Sequence, residues 1–190
     1  MNTQFLAVAR PHRLYALFYT AIDTGLRHGE LLALRWNDVQ SDRRKATASK
    51  TPKGKRVVSL TPATRDVLDL HRERQAAEFS ELGEEHGEDG LVFTSEVGTK
   101  LDQRNVTRLR HRLEAAASVP RATMHDLRHL NVSLRRNQKH DAKLIADQIG
   151  HADPAFTVRL YTHLFEEERQ AAGIDLREAL GSTTPSDEAN

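Results

Sequence analysis

The chain has 190 residues, enough for one hydrophobic core, and its 38% hydrophobic and 29% charged residues are typical of a single folded domain with a charged surface. The absence of cysteine excludes disulfide frameworks, thiolate zinc sites and cysteine nucleophiles, and no apolar run approaches the roughly 20 residues of a membrane span, so we expect a cytoplasmic protein. The formal net charge of +1 excludes a uniformly basic or acidic chain.

Two helices and a hairpin are predicted over the first 60 residues. Apolar residues repeat at helical spacing from Leu14 to Ile22, which predicts a helix over about 11–24 that Gly25 ends. The segment GELLAL predicts a second, short helix. From 44 to 60, Thr and Val residues around the turn signal PKG predict a small β-hairpin.

The rest of the chain is predicted to be helical, apart from the acidic loop ELGEEHGEDG and a short LVF strand. Thr61, Thr123 and Asp141 belong to residue types that cap helices, and each precedes a helical pattern. The other helices are predicted over about 102–118, from Asp153 through Tyr161, and over about 166–180.

The helix predicted over 102–118 has one apolar face and several arginines. The residues expected to face the core are Val106, Leu109, Leu113 and Ala116. The residues expected on its other faces are Arg104, Arg108, Arg110 and Arg112. These arginines are either solvated or contacts to an anionic partner.

The elements together predict a mainly α protein with a small antiparallel β-sheet (α+β). We expect one domain over residues 1–181. The final residues, 182–190, are rich in Ser, Thr, Pro and acidic residues and are expected to form a disordered tail.

The charge is segregated along the chain. Residues 35–74 hold 11 Lys/Arg against 5 Asp/Glu, and residues 100–143 hold 11 against 4. Residues 75–90 hold 6 acids and no base, and residues 166–190 hold 7 acids against 2 bases. The two basic segments predict a shared anion-binding face, although ordinary solvated helix surfaces explain the same numbers.

The stretch HDLRH at 125–129 allows two interpretations. His125 and His129 are four residues apart and share a helical face, as do the ligands of the HExxH zinc motif. Asp126 stands where that motif has its glutamate, and no downstream acidic ligand has the required spacing, which disfavours a metal site. Alternatively, the planar and permanently charged guanidinium of Arg128 is suited to grip two phosphate oxygens.

Five short motifs resemble, in order, those of the catalytic domain of the tyrosine recombinases, the phage integrase family. They are TGLRHGELLALRW at 24–36, SKTPKGKRVVSL at 49–60, HDLRH at 125–129, IGH at 149–151 and YTH at 161–163. Each motif alone is weak, but five in this order over about residues 10–165 are specific. The resemblance implies the fold of that catalytic domain and a catalytic set of Arg27, Lys50, His125, Arg128, His151 and Tyr161.

The resemblance also implies a transesterification on double-stranded DNA that needs neither metal nor cofactor. Tyr161 would attack a DNA phosphate, forming a 3′-phosphotyrosyl link and releasing a 5′-hydroxyl. Arg27 and Arg128 would hold the non-bridging oxygens, and His151 would add a hydrogen bond to them. In this setting the arginines around 104–112 are interpreted as contacts to the DNA backbone.

Two further residues would handle protons in that reaction. Lys50 would protonate the leaving 5′ oxygen, although Lys53 and Lys55 compete for this role on the same hairpin. His125 would assist proton transfer at the nucleophile. His129 is interpreted as a neighbour that helps to hold the helix.

Some positions depart from the family's usual pattern. Leu130 and Asn131 stand where a small hydroxyl residue and an apolar residue commonly follow the HxxRH sequence. Lys139 occupies the place of a frequent glycine, so we expect the turn between two helices to use Asn137 in a left-handed conformation. Glu30, in the first motif, is expected to be a structural partner of a nearby arginine.

Recombinases of this type also carry an N-terminal core-binding domain, which does not fit ahead of Arg10, so we expect this chain to be the catalytic half without that domain. We expect a monomer free in solution and a tetramer on DNA through the C-terminal segment 166–180. Two alternatives remain open. One is a type IB topoisomerase or hairpin resolvase with the same chemistry, and the other is a DNA-binding module that does not cleave.

Overall fold

The computed structural model describes residues 2–40, 45–48, 56–83 and 90–150 of the chain. The helices are α1 (Asn2–Ala9), α2 (Tyr15–Thr24), α3 (His28–Leu32), α4 (Pro62–Glu81), α5 (Gln103–Ala116), α6 (Met124–Asn137) and α7 (Ala142–Ile149). The strands are β1 (Val39–Gln40), β2 (Lys45–Ala48) and β3 (Arg56–Ser59), with a short 3-10 helix at Trp36–Asp38. The predicted α+β class is therefore confirmed. No helix within the described ranges is long and apolar enough to cross a membrane.

Some predicted elements lie outside the described residues. They are the tip of the hairpin, the middle of the acidic loop, the helices expected after Asp153 and the tail at 182–190.

The helix ends follow the predicted caps. The side chains of Thr61, Thr123 and Asp141 each accept hydrogen bonds from backbone amides in the first turn of the helix that follows. α2 ends at Gly25 and α7 ends at Gly150, with left-handed φ values of 63° and 67°. These local signals fix the starts of α4, α6 and α7 and the ends of α2 and α7.

The first predicted helix, over 11–24, is wrong at its start. α1 comes first, and α2 begins only at Tyr15. Pro11 has no amide hydrogen to donate and therefore ends α1 instead of beginning α2. The turn that follows is held by the imidazole of His12, whose Nδ1 accepts a hydrogen bond from the backbone N of Leu14 at 3.0 Å.

The predicted hairpin is present, and an additional strand joins it. β2 pairs antiparallel with β3, with Lys45 opposite Ser59, and β1 pairs antiparallel with β2. The predicted LVF strand is wrong, because within the described ranges Leu91 makes an isolated bridge to Arg35 and no strand includes residues 91–93. Residues 91–93 are apolar because they are buried in the core, not because they belong to a sheet.

The core surrounds α2, which packs against both α4 and α6. Its most deeply buried large side chains include Leu17, Phe18, Leu26, Leu31, Leu34, Leu68, Val92 and Phe93. A separate small cluster of Val132, Ile145 and Ile149 packs α7 against α6. This second cluster fixes the end of α7 beside the middle of α6.

The prediction that Arg110 lies on an outer face of α5 is wrong. Arg110 is buried, with 2% of its surface exposed, whereas Ala116, predicted to face the core, is exposed. Arg110 follows Val106 by four residues and precedes Leu113 by three, so it shares their apolar face. Glu114 accompanies it into the interior and is 3% exposed.

The turn between α6 and α7 uses Lys139 in the left-handed conformation, not Asn137 as predicted. α6 continues through Asn137, and Lys139 has a φ of 60°. The backbone N of Lys139 donates to the carbonyl oxygen of Arg136 at 2.8 Å, which closes the helix. Lys139 therefore holds a backbone conformation that favours glycine.

Replacing Lys139 with glycine is expected to raise the free energy of unfolding by about 0.5–1 kcal/mol. The left-handed conformation costs an L-residue about 1–2 kcal/mol, and the greater freedom of glycine in the unfolded chain offsets part of the gain. Urea denaturation measures the change. Gln138→Gly is the matched control. Gln138 has an ordinary φ of −84°, so glycine relieves nothing there and this variant should have a lower free energy of unfolding. A lower free energy of unfolding for Lys139→Gly would contradict the argument.

Candidate active site

The two arginines predicted to bind phosphate lie on different elements that meet at the end of α7. Arg27 directly precedes α3, and Arg128 lies within α6. The Nη2 of Arg27 donates to the carbonyl oxygen of Gly150 at 3.1 Å, and the Nη2 of Arg128 donates to the neighbouring carbonyl oxygen of Ile149. The fold therefore brings two guanidinium groups together that are far apart in the sequence.

Glu30 holds Arg27 at both its backbone and its side chain. The backbone N of Arg27 donates to Oε2 of Glu30 at 2.8 Å, and Nη1 donates to Oε1 at 3.0 Å. The Arg27 side chain is 51% exposed, so this ion pair contributes little to stability. Its effect is to orient the guanidinium while leaving it accessible, and Glu30 makes the arginine contact that the sequence predicts.

Arg128 is buried and connects two turns. It is 3% exposed, and its Nη1 donates to the carbonyl oxygen of Gly25 at 2.6 Å while its Nη2 binds the end of α7. Gly25 lies two residues before Arg27, and Gly150 immediately precedes His151. Arg128 thus ties the turn that carries Arg27 to the turn that leads to His151.

Gly25 is required by both its conformation and its surroundings. Its φ of 63° is left-handed, and a Cβ there would lie 3.1 Å from Oδ1 of Asn131 and 3.2 Å from Cγ2 of Ile149. Glycine therefore allows α6 and α7 to approach the Arg27 turn closely.

The amide of Asn131 is a contact that the sequence did not reveal. Asn131 is 3% exposed, and its Nδ2 donates to the carbonyl oxygens of Ile22 at 2.9 Å and Asp23 at 2.5 Å. The sequence marked Asn131 only as a departure from the family pattern. The signal that points to such a role is its position three residues after Arg128, on the same face of α6.

The two histidines of HDLRH touch each other at the surface. The rings of His125 and His129 lie 4.4 Å apart between centroids and are nearly perpendicular. The pKa of His129 is lowered by burial and by the adjacent His125.

Asp126 serves the helix cap, because its Oδ2 accepts a hydrogen bond from the backbone N of Thr123 at 2.5 Å. Within the described part of the chain, no three His, Asp or Glu side chains are grouped to hold a metal ion.

The sequence matches the model of the Phage integrase family over residues 3–168. The chain belongs to the phage integrase family. Its similar relatives include a XerC-like tyrosine recombinase of Caldanaerobacter subterraneus, 28% identical over 85% of this chain and 48% of the relative. An integrase of Streptomyces ambofaciens is 32% identical over 82% of this chain and 46% of the relative.

The fold of this phage integrase family member is also found in solved structures. The XerA recombinase matches with a TM-score of 0.75 and 24% identity, over 90% of this chain and 63% of that one. The XerH recombinase in a post-cleavage complex matches with a TM-score of 0.72 and 20% identity, over 90% of this chain and 50% of that one. The chain spans about half the length of the curated relatives that it matches.

The structure describes three of the six predicted catalytic residues. Arg27 and Arg128 converge at the end of α7, and His125 lies on α6 three residues before Arg128, an interval that places both on one side of a helix. Lys50, His151 and Tyr161 lie outside the described residues. Their membership of the site, like the catalytic roles of the other three, stays a prediction.

Proposed function

We propose that this chain is the catalytic part of a site-specific DNA recombinase that cleaves and rejoins strands through a 3′-phosphotyrosyl intermediate. The convergence of Arg27 and Arg128 at the turn before His151 supports this most directly. Two guanidinium groups from separate segments can hold one phosphate from two directions. Membership of the phage integrase family supports the proposal as well. Among the structural neighbours, XerH is bound to its difH substrate and the Tn1549 integrase is in complex with DNA.

The reaction exchanges one phosphodiester for another. The hydroxyl oxygen of Tyr161 forms a bond to phosphorus, the bond to the 5′ oxygen breaks, and Lys50 supplies the proton that this oxygen takes up. His125 assists removal of the proton from Tyr161. The phosphotyrosyl link conserves the bond energy, so a 5′-hydroxyl of another strand reverses the attack without ATP, metal or cofactor.

The positively charged groups stabilise the phosphorane-like transition state. Arg27 and Arg128 hold the two non-bridging oxygens, and His151 donates a hydrogen bond to them. Preorganised donors of this kind contribute about 10²–10³ each in rate. The ion pair with Glu30 sets the direction of the Arg27 guanidinium before DNA binds.

The exposed basic face of α5 fits the DNA backbone. Arg104, Arg108 and Arg112 are exposed on this helix. Neutralising phosphates releases counterions, so binding should weaken steeply as salt rises. We further propose that the chain acts in the cytoplasm, is a monomer free in solution and forms a tetramer on DNA through the segment 166–180.

Trapping of a covalent adduct tests the proposed function. The 190-residue chain is incubated with a library of nicked duplexes of randomised core sequence, in which cleavage releases a short strand and prevents rejoining. The expected product is a denaturation-resistant protein–DNA adduct that mass spectrometry maps to the peptide containing Tyr161. The variant Tyr161→Phe should give none.

Two outcomes would contradict the proposal. Binding to the library without an adduct would favour a DNA-binding module that does not cleave. An adduct accompanied by relaxation of supercoiled plasmid, but without recombinant products, would assign the chemistry to a topoisomerase instead.

A further inference from the structure

Three polar side chains on one face of α6 bind the end of α2. Arg128, Asn131 and Arg135 are spaced by three and four residues, so they form one row along the helix. Arg128 donates to the carbonyl oxygen of Gly25, and Asn131 donates to those of Ile22 and Asp23. The row therefore contacts the segment that leads directly to Arg27.

Asn131 and Arg135 act as a connected pair. The Nε of Arg135 donates to Oδ1 of Asn131 at 3.0 Å, and its Nη2 donates to the carbonyl oxygen of Asp23 at 3.0 Å. The same carbonyl accepts from Nδ2 of Asn131. The three groups close a ring of hydrogen bonds, so neither side chain can shift without breaking a bond to the other or to the end of α2.

The carbonyls at the end of a helix are a natural attachment point. They have no partner within the helix and carry the negative end of its dipole, which favours a cationic donor such as Arg135. Ile22 and Asp23 lie in the last turn of α2, just before the left-handed Gly25. Donors from α6 thus fix the direction in which the chain leaves α2 toward Arg27.

We infer that Asn131 and Arg135 are positioning residues that hold the Arg27 turn against α6, so that Arg27 and Arg128 keep one fixed spacing. This inference rests on the proposed function, in which both arginines hold the same phosphate. A displacement of about 1 Å at a reacting centre lowers a rate by as much as about 10²-fold. A loosened turn would move Arg27, whereas Arg128 would stay on α6.

Cleavage kinetics test the inference. Asn131→Leu keeps the size of the side chain but removes the ring of hydrogen bonds. The expected result is about a tenfold lower cleavage rate at saturating DNA, with a KM for DNA within twofold of the unaltered chain, because the DNA-facing arginines of α5 are untouched. Arg135→Met should act in the same direction, and the double variant should resemble the worse single one, because both residues serve one network.

Two controls separate positioning from general damage. Leu134→Ala, on the same helix at a position 41% exposed, should leave the rate unchanged. In an Arg27→Lys background, Asn131→Leu should lower the rate by less than a further twofold, since its effect passes through Arg27. A full tenfold further loss in that background would overturn the inference.

Amide hydrogen exchange gives a readout that does not depend on activity. Asn131→Leu should speed exchange at least fivefold in the peptide covering 22–28 and leave peptides of α4 unchanged. In that peptide the backbone amides of Gly25, Leu26 and Arg27 each donate a hydrogen bond, to acceptors on Ala21, Thr24 and Glu30. If Asn131→Leu does not fold, Arg135→Lys provides the same test, because Arg135 is only half-buried. We expect about a threefold lower cleavage rate and about threefold faster exchange. Unchanged exchange in a folded variant would overturn the inference.

The two proposals fail in different ways. An unaltered chain that forms no adduct overturns the proposed function. An unaltered chain that forms the adduct, with a folded Asn131→Leu variant that cleaves equally fast, overturns only the positioning role.

Discussion

Replacing Arg128 with lysine is expected to lower the rate of phosphotyrosyl formation by about 10²–10³-fold. The guanidinium of Arg128 makes two contacts at once, to the carbonyl oxygens of Gly25 and Ile149, because its nitrogens form a rigid planar fork. An ammonium group is a single point of donation and cannot span both turns. The lysine would keep the positive charge and lose the geometry.

Lysine disturbs folding less than alanine would, and a separate measurement of folding accounts for the rest. Arg128→Ala would remove a buried side chain and leave carbonyl groups without donors, so a loss of activity would have two explanations. Arg128→Lys keeps the charge and most of the volume. Single-turnover cleavage at saturating DNA gives the rate, and thermal unfolding followed by circular dichroism reports whether the variant is folded. Arg74→Lys, exposed on α4, is the matched control.

A folded Arg128→Lys variant that cleaves within threefold of the unaltered chain would remove Arg128 from the proposed mechanism. A variant that loses the rate but binds DNA as before would support a role in the transition state. The two lysine substitutions should differ in their effect on the free energy of unfolding, because Arg27 is half exposed and Arg128 is buried. Arg27→Lys should therefore change stability less than Arg128→Lys.

The parts of the fold that could be predicted are those fixed by local chemistry. A Thr or Asp that accepts a backbone hydrogen bond, and a glycine that adopts a left-handed φ, act within a few residues of their own position. This is why the caps at Thr61, Thr123 and Asp141 and the ends at Gly25 and Gly150 were predicted. Pro11 was misleading because proline is compatible with the start of one helix and with the end of another.

The parts that could not be predicted depend on distant partners. Arg110 is a charged residue on an apolar face, and its burial is explained by its ion pair with Glu114, which in turn accepts a hydrogen bond from the loop before α6. Residues 91–93 have the composition of a strand, but no continuous partner strand lies beside them among the residues that the structure describes. Asn131 could be recognised as unusual, but its acceptors at the end of α2 lie more than 100 residues away in sequence.

In the candidate site, too, the sequence indicates local features but not contacts between distant segments. The motifs indicated which residues to consider, because their order and spacing match a known family. They did not indicate that Arg27 and Arg128 bind consecutive carbonyls at the end of α7, or that Gly25 is needed for their approach. These contacts arise only when α2, α6 and α7 pack together.

Replacing Glu114 with alanine is expected to lower the free energy of unfolding by about 3–5 kcal/mol. Arg110 and Glu114 form a buried ion pair, with Nη1 3.5 Å from Oε1 and side-chain exposures of 2% and 4%. Burial lowers the pKa of Arg110, and Glu114 counteracts that effect. Without the carboxylate, a charged guanidinium would remain in the interior without its counter-ion. The backbone N of Ala122 would also lose its acceptor, Oε1 of Glu114 at 3.1 Å.

A series of variants distinguishes the charge from the hydrogen bond. Glu114→Gln keeps an oxygen that accepts from the backbone N of Ala122 but removes the charge. In urea denaturation it should therefore lower the free energy of unfolding by less than Glu114→Ala does. The double variant Arg110→Met with Glu114→Leu removes both charges and should recover much of the stability, because apolar replacements of a buried pair are often neutral or stabilising. Glu73→Ala, exposed on α4, should change stability by no more than about 0.5 kcal/mol. If the double variant is less stable than Glu114→Ala, Arg110 does more in the core than neutralise Glu114, and the argument from a stranded charge is wrong.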